Sequence, residues 1–150
     1  MKKIFLPLVV SVIIGYIFSC LMFKQYNYSS AVSSNETYKL FFIQQGVYST
    51  YDSMIENTNL IENYIYIEEK KQFKVYIGVT KKEENIPILQ EYFKNIGLNT
   101  IVKEYNINNS GFIEKLKNYD DKLSSSSNNL EKSKIIEDVL KTYKESSDNK

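Results

Sequence analysis

One design is written twice in this chain. Ile43-x-x-Gly46-Val47 returns 32 residues later as Val75-x-Ile77-Gly78-Val79, and a polar turn and an amphipathic run follow each copy. Apolar residues stand eight positions past each glycine (Met54 and Ile86) and again fifteen past (Ile61 and Phe93). A strand that feeds a helix, whose apolar stripe then packs back on the strand, produces this spacing. Two such units exclude an all-helical or all-strand chain and predict an α+β fold.

The remaining elements fit between and around the copies. "YKLFFIQQGV" is rich in aromatic and β-branched residues and reads as a strand ending at Gly46. The following helix is expected to take Asp52 or Ser53 as its cap. Tyr64 to Ile67 and Phe73 to Val79 read as two strands of a hairpin, with a charged turn over Glu68 to Gln72. The second helix carries Ile86, Leu89 and Phe93 on one face, with Pro87 in its first turn and Gly97 as C-cap. "NTIVKEYNI" supplies a fourth strand. The order β-α-β-β-α-β predicts the ferredoxin-like split β-α-β arrangement, a four-stranded antiparallel sheet with two helices on one face.

Ahead of this domain, residues 4–23 run for 20 positions without a charge. As a helix that run would be about 30 Å long, the thickness of a bilayer's hydrocarbon core. Lys2 and Lys3 precede it, so the positive-inside rule puts residues 1–3 in the cytoplasm and the rest outside. A cleaved signal peptide, or a lipoprotein signal around Cys20, would export the chain equally. Residues 24–37 are Ser/Asn-rich and read as a tether. The expected protein is therefore a single-pass membrane protein whose domain, residues 38–106, lies outside the membrane.

Composition removes several chemistries. There is no His, one Cys and no Arg, so His-based acid–base catalysis, nucleophilic pairs with His and ordinary zinc sites are absent; no metal or cofactor is expected. Beyond residue 24 the chain carries 16 lysines against 18 acids, a balance poorly suited to nucleic acid or anionic lipid. Glu68-Glu69, Glu83-Glu84 and Asp120-Asp121 are adjacent pairs whose members point apart. They read as solvated charge rather than hydrolase carboxylates, and the chain is not expected to be an enzyme.

Gln44, Gly46 and Tyr48 in the first strand, Val75-Tyr76-Ile77-Gly78 in the third, and Phe93-x-x-x-Gly97 closing the second helix resemble the SPOR (sporulation-related repeat) domain family. The resemblance covers about residues 38–106. The chain departs from the family pattern at Gln45, where an apolar residue is usual, and at Val79-Thr80, where Pro-Phe is common. The resemblance implies binding to peptidoglycan, specifically to glycan strands stripped of stem peptides, during sporulation or cell division.

A sheet with both helices on one side leaves its other side to solvent. Alternation from core-facing Phe41, Ile43 and Val47 sends Leu40, Phe42 and Gln44 to that open face. With Phe73, Val75 and Ile77 in the core, Lys74 and Tyr76 join them. Aromatic faces stack on sugar rings and amides bond hydroxyl and N-acetyl groups, so Phe42, Gln44, Lys74 and Tyr76 form the expected glycan site.

Residues 107–150 lie beyond the resemblance. Phe112, Leu116, Tyr119 and Leu123 are helically spaced after Ser110, a candidate cap, and "SSSSNN" makes a break. Asn128-x-x-Glu131 resembles a capping box for a helix carrying Ile136, Leu140 and Tyr143. These helices are expected to pack on the domain, to engage an envelope protein partner, or to form a charged tail. The alternative function is an envelope protein–protein scaffold that binds no glycan. An RNA-recognition module shares the element order, but the membrane anchor, the acid excess and the missing Arg argue against it.

Overall fold

A computed structural model of the protein describes residues 37–147, which belong to one compact unit, Glu36–Lys150. The expected stub, membrane helix and tether up to residue 36, including Cys20, lie outside the described residues. Among the described residues no helix is long and apolar enough to cross a membrane.

The elements run β1 (Tyr38–Tyr48), α1 (Tyr51–Thr58), β2 (Ile65–Glu69), β3 (Gln72–Thr80), α2 (Asn85–Asn95), β4 (Ile101–Ile107), α3 (Ser110–Ser125) and α4 (Asn129–Ser147). The four strands form one sheet in the order β2-β3-β1-β4, every neighbour antiparallel. Each of the two strand–helix–strand passages thus leaves a gap that a strand of the other fills, which is the split arrangement expected.

Local chemistry sets the boundaries. Thr50, not Asp52 or Ser53, caps α1: its hydroxyl accepts from the Ser53 N–H at 3.2 Å. The β2–β3 turn is tighter than expected, just Lys70 and Lys71, both with positive φ (53° and 62°). Helix α2 stops at Gly97, whose φ of 85° reverses the chain. There the Gly97 N–H donates to Lys94 O at 3.0 Å and the Leu98 N–H to Phe93 O at 2.9 Å, a Schellman closure. Asn109, one residue before the expected Ser110, caps α3 by accepting from Phe112 N–H at 3.0 Å.

Helices α1 and α2 share one face of the sheet. A Cβ on Gly78 would stand 3.3 Å from both Ile43 and Phe93, so β3 and α2 meet at a distance that only glycine leaves unstrained. On the same face the ring of Tyr51, opening α1, packs against Tyr66 and Phe73. Pairing between β1 and β3 is irregular around Gln44–Gly46, where Gln44 stands opposite Tyr76 and Gly46 opposite Val75. This irregularity corrects the expected burial of Val47. It pairs with Lys74 on the second face and is 43% exposed. It also resolves Gln45, whose Oε1 accepts from the Tyr48 hydroxyl at 2.8 Å.

That second face is not open. Helices α3 and α4 pack on each other and α4 packs against β3, so the C-terminal helices join the same core. Phe112, Leu116, Leu123, Ile136 and Leu140 are all buried there.

Candidate functional site

Alternation and pairing bring Leu40 and Phe42 from β1, Tyr76 from β3 and Tyr105 from β4 to the second face. Phe42 is the centre of the group. Its ring lies 5.3 Å from Tyr76, 5.2 Å from Tyr105 and 5.5 Å from Tyr143 of α4, each edge-on at 74–81°. Tyr143 in turn packs edge-on against Phe112 of α3, centroids 5.2 Å apart. Such edge-to-face pairs add roughly 0.5–1.5 kcal/mol each beyond their buried area.

The hydroxyls of Tyr76 and Tyr105 are hydrogen-bonded to each other, which satisfies the polar tips inside the cluster. Burial pushes the Tyr76 phenol far above its ordinary pKa, and the bond to Tyr105 adds to the rise. Burial raises Tyr143 as well. Both rings are neutral at any physiological pH.

Phe42, Gln44 and Tyr76 were expected on a solvent-facing surface. Instead Phe42 and Tyr76 have no exposure and Gln44 keeps 4%. The physical reason is the C-terminal helices. They offer Tyr143 and Phe112 to rings that would otherwise face water, and burying aromatic area is strongly favoured. Lys74 is the exception. It stays on the rim, bonded to Glu69 in the hairpin; that contact raises the ammonium pKa and lowers that of the carboxyl. The four expected residues are therefore brought together on one face, three of them beneath the helices.

Gln44 differs from its neighbours. It lies between Tyr76 on β3 and Ile101 on β4, and its side chain makes no hydrogen bond to another described residue. The uncovered rim begins beside it, with Val47, Lys74 and the half-exposed Ile101. Beyond Tyr143 the helices also leave a cleft of about 440 Å³, lined by Tyr64, Ile65, Tyr66, Tyr143, Lys144 and Ser147.

A second cluster fastens α3 to the sheet. Asp120 is 2% exposed and accepts from the Thr80 hydroxyl at 2.5 Å, the Lys81 N–H at 2.9 Å and the Asn85 amide at 3.2 Å. Asn85 Nδ2 also donates to the Asp120 carbonyl, and the Ser124 hydroxyl donates to Asn85 Oδ1 at 2.7 Å. Burial raises the Asp120 pKa, and the donors of Thr80, Lys81, Asn85 and Lys82 offset only part of that rise. Its neighbour Asp121 points outward to Lys82 at 2.8 Å. The pair does diverge, as adjacent acids must, but only Asp121 is solvated.

Sequence reasoning missed Tyr105, Tyr143 and Asp120. For Tyr105 the signal is its place opposite Leu40, which follows once the β1–β4 register is known. Tyr143 carried a helical spacing that showed an apolar stripe and not what the stripe covers.

No family model and no curated protein matches the chain. Among solved structures it is similar to the solution structure of the peptidoglycan binding domain of the B. subtilis cell wall lytic enzyme CwlC. The two are 23% identical with a TM-score of 0.39, over 49% of this chain and 99% of that one.

Proposed function

We propose that this chain is a non-enzymatic, exported and membrane-anchored module that binds peptidoglycan through glycan strands stripped of stem peptides, in the envelope of a sporulating or dividing cell. One observation carries the reading. The face of β1 and β3 that the SPOR resemblance designates gathers Phe42, Tyr76 and Tyr105 beside an amide, Gln44, that makes no side-chain hydrogen bond to another described residue and keeps contact with solvent. Uncharged rings and a free amide are the groups a neutral, hydroxyl- and N-acetyl-bearing polymer uses. Sedimentation of the full chain in detergent micelles with purified sacculi, before and after amidase treatment, tests it. Binding should rise with amidase treatment and change little with added salt.

The cover over that face favours a second reading, an envelope scaffold without glycan affinity. Equal sedimentation with treated, untreated and no sacculi selects it.

A further inference from the structure

Helix α4 adds a surface as well as a cover. Where its C-terminal end passes β2, the outer strand of the sheet, it leaves the cleft of about 440 Å³. One wall is Tyr64, Ile65 and Tyr66, and the other is Tyr143, Lys144 and Ser147. The volume falls within the roughly 300–1,000 Å³ of small-ligand sites. The walls do not close on each other. Lys144 Nζ stands 5.9 Å from the centre of the Tyr64 ring, at the outer limit of about 6 Å for a cation–π contact. Tyr66 keeps 47% of its surface exposed, although its ring also packs edge-on against Tyr51.

The cleft is continuous in register with the glycan face. Ile65 pairs with Tyr76 and Tyr76 pairs with Gln44, so cleft and amide share one cross-sheet row. Two inter-strand steps separate them, about 10 Å. Tyr76, in the middle of that row, is buried. The next row, Val47, Lys74 and Ile67, is only partly covered and leads from Gln44 to the cleft. A small ligand fits one of these places, whereas a polymer can reach both.

We propose that this cleft is a second sugar subsite, added to the glycan face by α4. It takes one amino-sugar unit, and the neighbouring units of the same glycan lie along the Val47–Lys74–Ile67 row toward Gln44. Tyr64 offers its ring to the apolar side of the sugar. The Tyr66 hydroxyl, Lys144 and Ser147 supply hydrogen-bonding groups for its hydroxyl and N-acetyl substituents. The inference rests on the glycan reading above and adds the accessible rings that Phe42 and Tyr76, fully covered, do not present.

The test uses the full chain in detergent micelles. The probes are soluble glycan strands stripped by amidase and, separately, the stem peptides that the amidase releases. Tyr64→Ala should weaken glycan binding several-fold, and Tyr64→Phe, which keeps the ring, should bind nearly as the parent does. Urea melts check that each variant is folded. The chain has no Trp, so Tyr64→Trp puts a single indole in the cleft. Its emission should move to shorter wavelength as glycan is added and stay unchanged with the stem peptides.

Parental binding by folded Tyr64→Ala, or an indole silent to glycan that the parent binds, overturns the subsite and leaves the glycan reading standing. An indole that responds to the stem peptides and not to glycan gives the cleft to a peptide and overturns it too. If the parent binds no glycan, both this inference and the glycan reading fall.

Discussion

Phe42 of β1 and Tyr143 of α4 stand 101 positions apart in sequence and pack ring edge to ring face, centroids 5.5 Å apart at 81°. That one contact turns the outer side of the sheet into interior, and it reverses what substitutions on that side should do.

Tyr76 is the clearest case. On an open face Tyr76→Ala would be nearly silent; here it empties a fully buried ring site and should cost about 3–5 kcal/mol. Tyr76→Phe keeps the ring and removes only the bond to Tyr105, at about 1 kcal/mol. Urea melts of both variants, with Ile77→Asp as an unfolded reference, check the order.

Gln44 should matter to binding and little to stability. Gln44→Met keeps the volume and replaces an amide whose polar atoms still touch water, so it should change stability by less than about 1 kcal/mol. The same change removes the ligand's donor and acceptor and should weaken glycan binding several-fold. A denaturation midpoint that falls steeply, or binding that stays at the parental level, contradicts the role assigned to the amide.

The β2–β3 turn is strained by its residues. Lysine in the left-handed region costs roughly 1–2 kcal/mol per position, and Lys70 and Lys71 both sit there. Lys70→Asn with Lys71→Gly suits a two-residue hairpin turn and should raise the melting temperature by several degrees. Calorimetry of the double variant measures this.

Asp120 should leave a mark on the pH profile. Its pKa is raised in the folded state, so the native protein holds a proton that the unfolded chain has released. Just above the ordinary aspartate value of 3.8, stability therefore falls as pH rises, and it levels off beyond the native pKa. Asp121 and Glu69, both lowered, act in the opposite sense and lose their contribution as pH falls. Subtracting urea midpoints of Asp120→Asn from those of the parent across this range isolates the downward limb.

The sequence carried the order of the sheet and its inner helices because each signal was local. The repeated strand–helix spacing, Gly97 as a C-cap and the aromatic strands all act within one or two turns of chain. The solvent face was not legible, because alternation assigns a side and says nothing of what covers it. Val47 escaped for a different reason. A strand irregularity shifts parity; the paired glutamines before Gly46 point to a bulge there, but not to its effect on which face Val47 takes. Asp120 read as solvated because an aspartate beside an aspartate usually is; its partners Thr80 and Asn85 lie 35 to 40 residues away.

The Phe42 platform draws on three strands, whereas the ring that covers it, Tyr143, comes from α4, the last of the described helices. A ribosome delivers residues in order, so β1, β3 and β4 emerge and pair before Tyr143 exists. For that interval a nascent chain presents a ready-made sticky surface, and premature termination anywhere between β4 and Tyr143 would make the exposure permanent. Shortened forms of this protein are thus expected to clump or to occupy chaperones, even where their sheet has folded correctly.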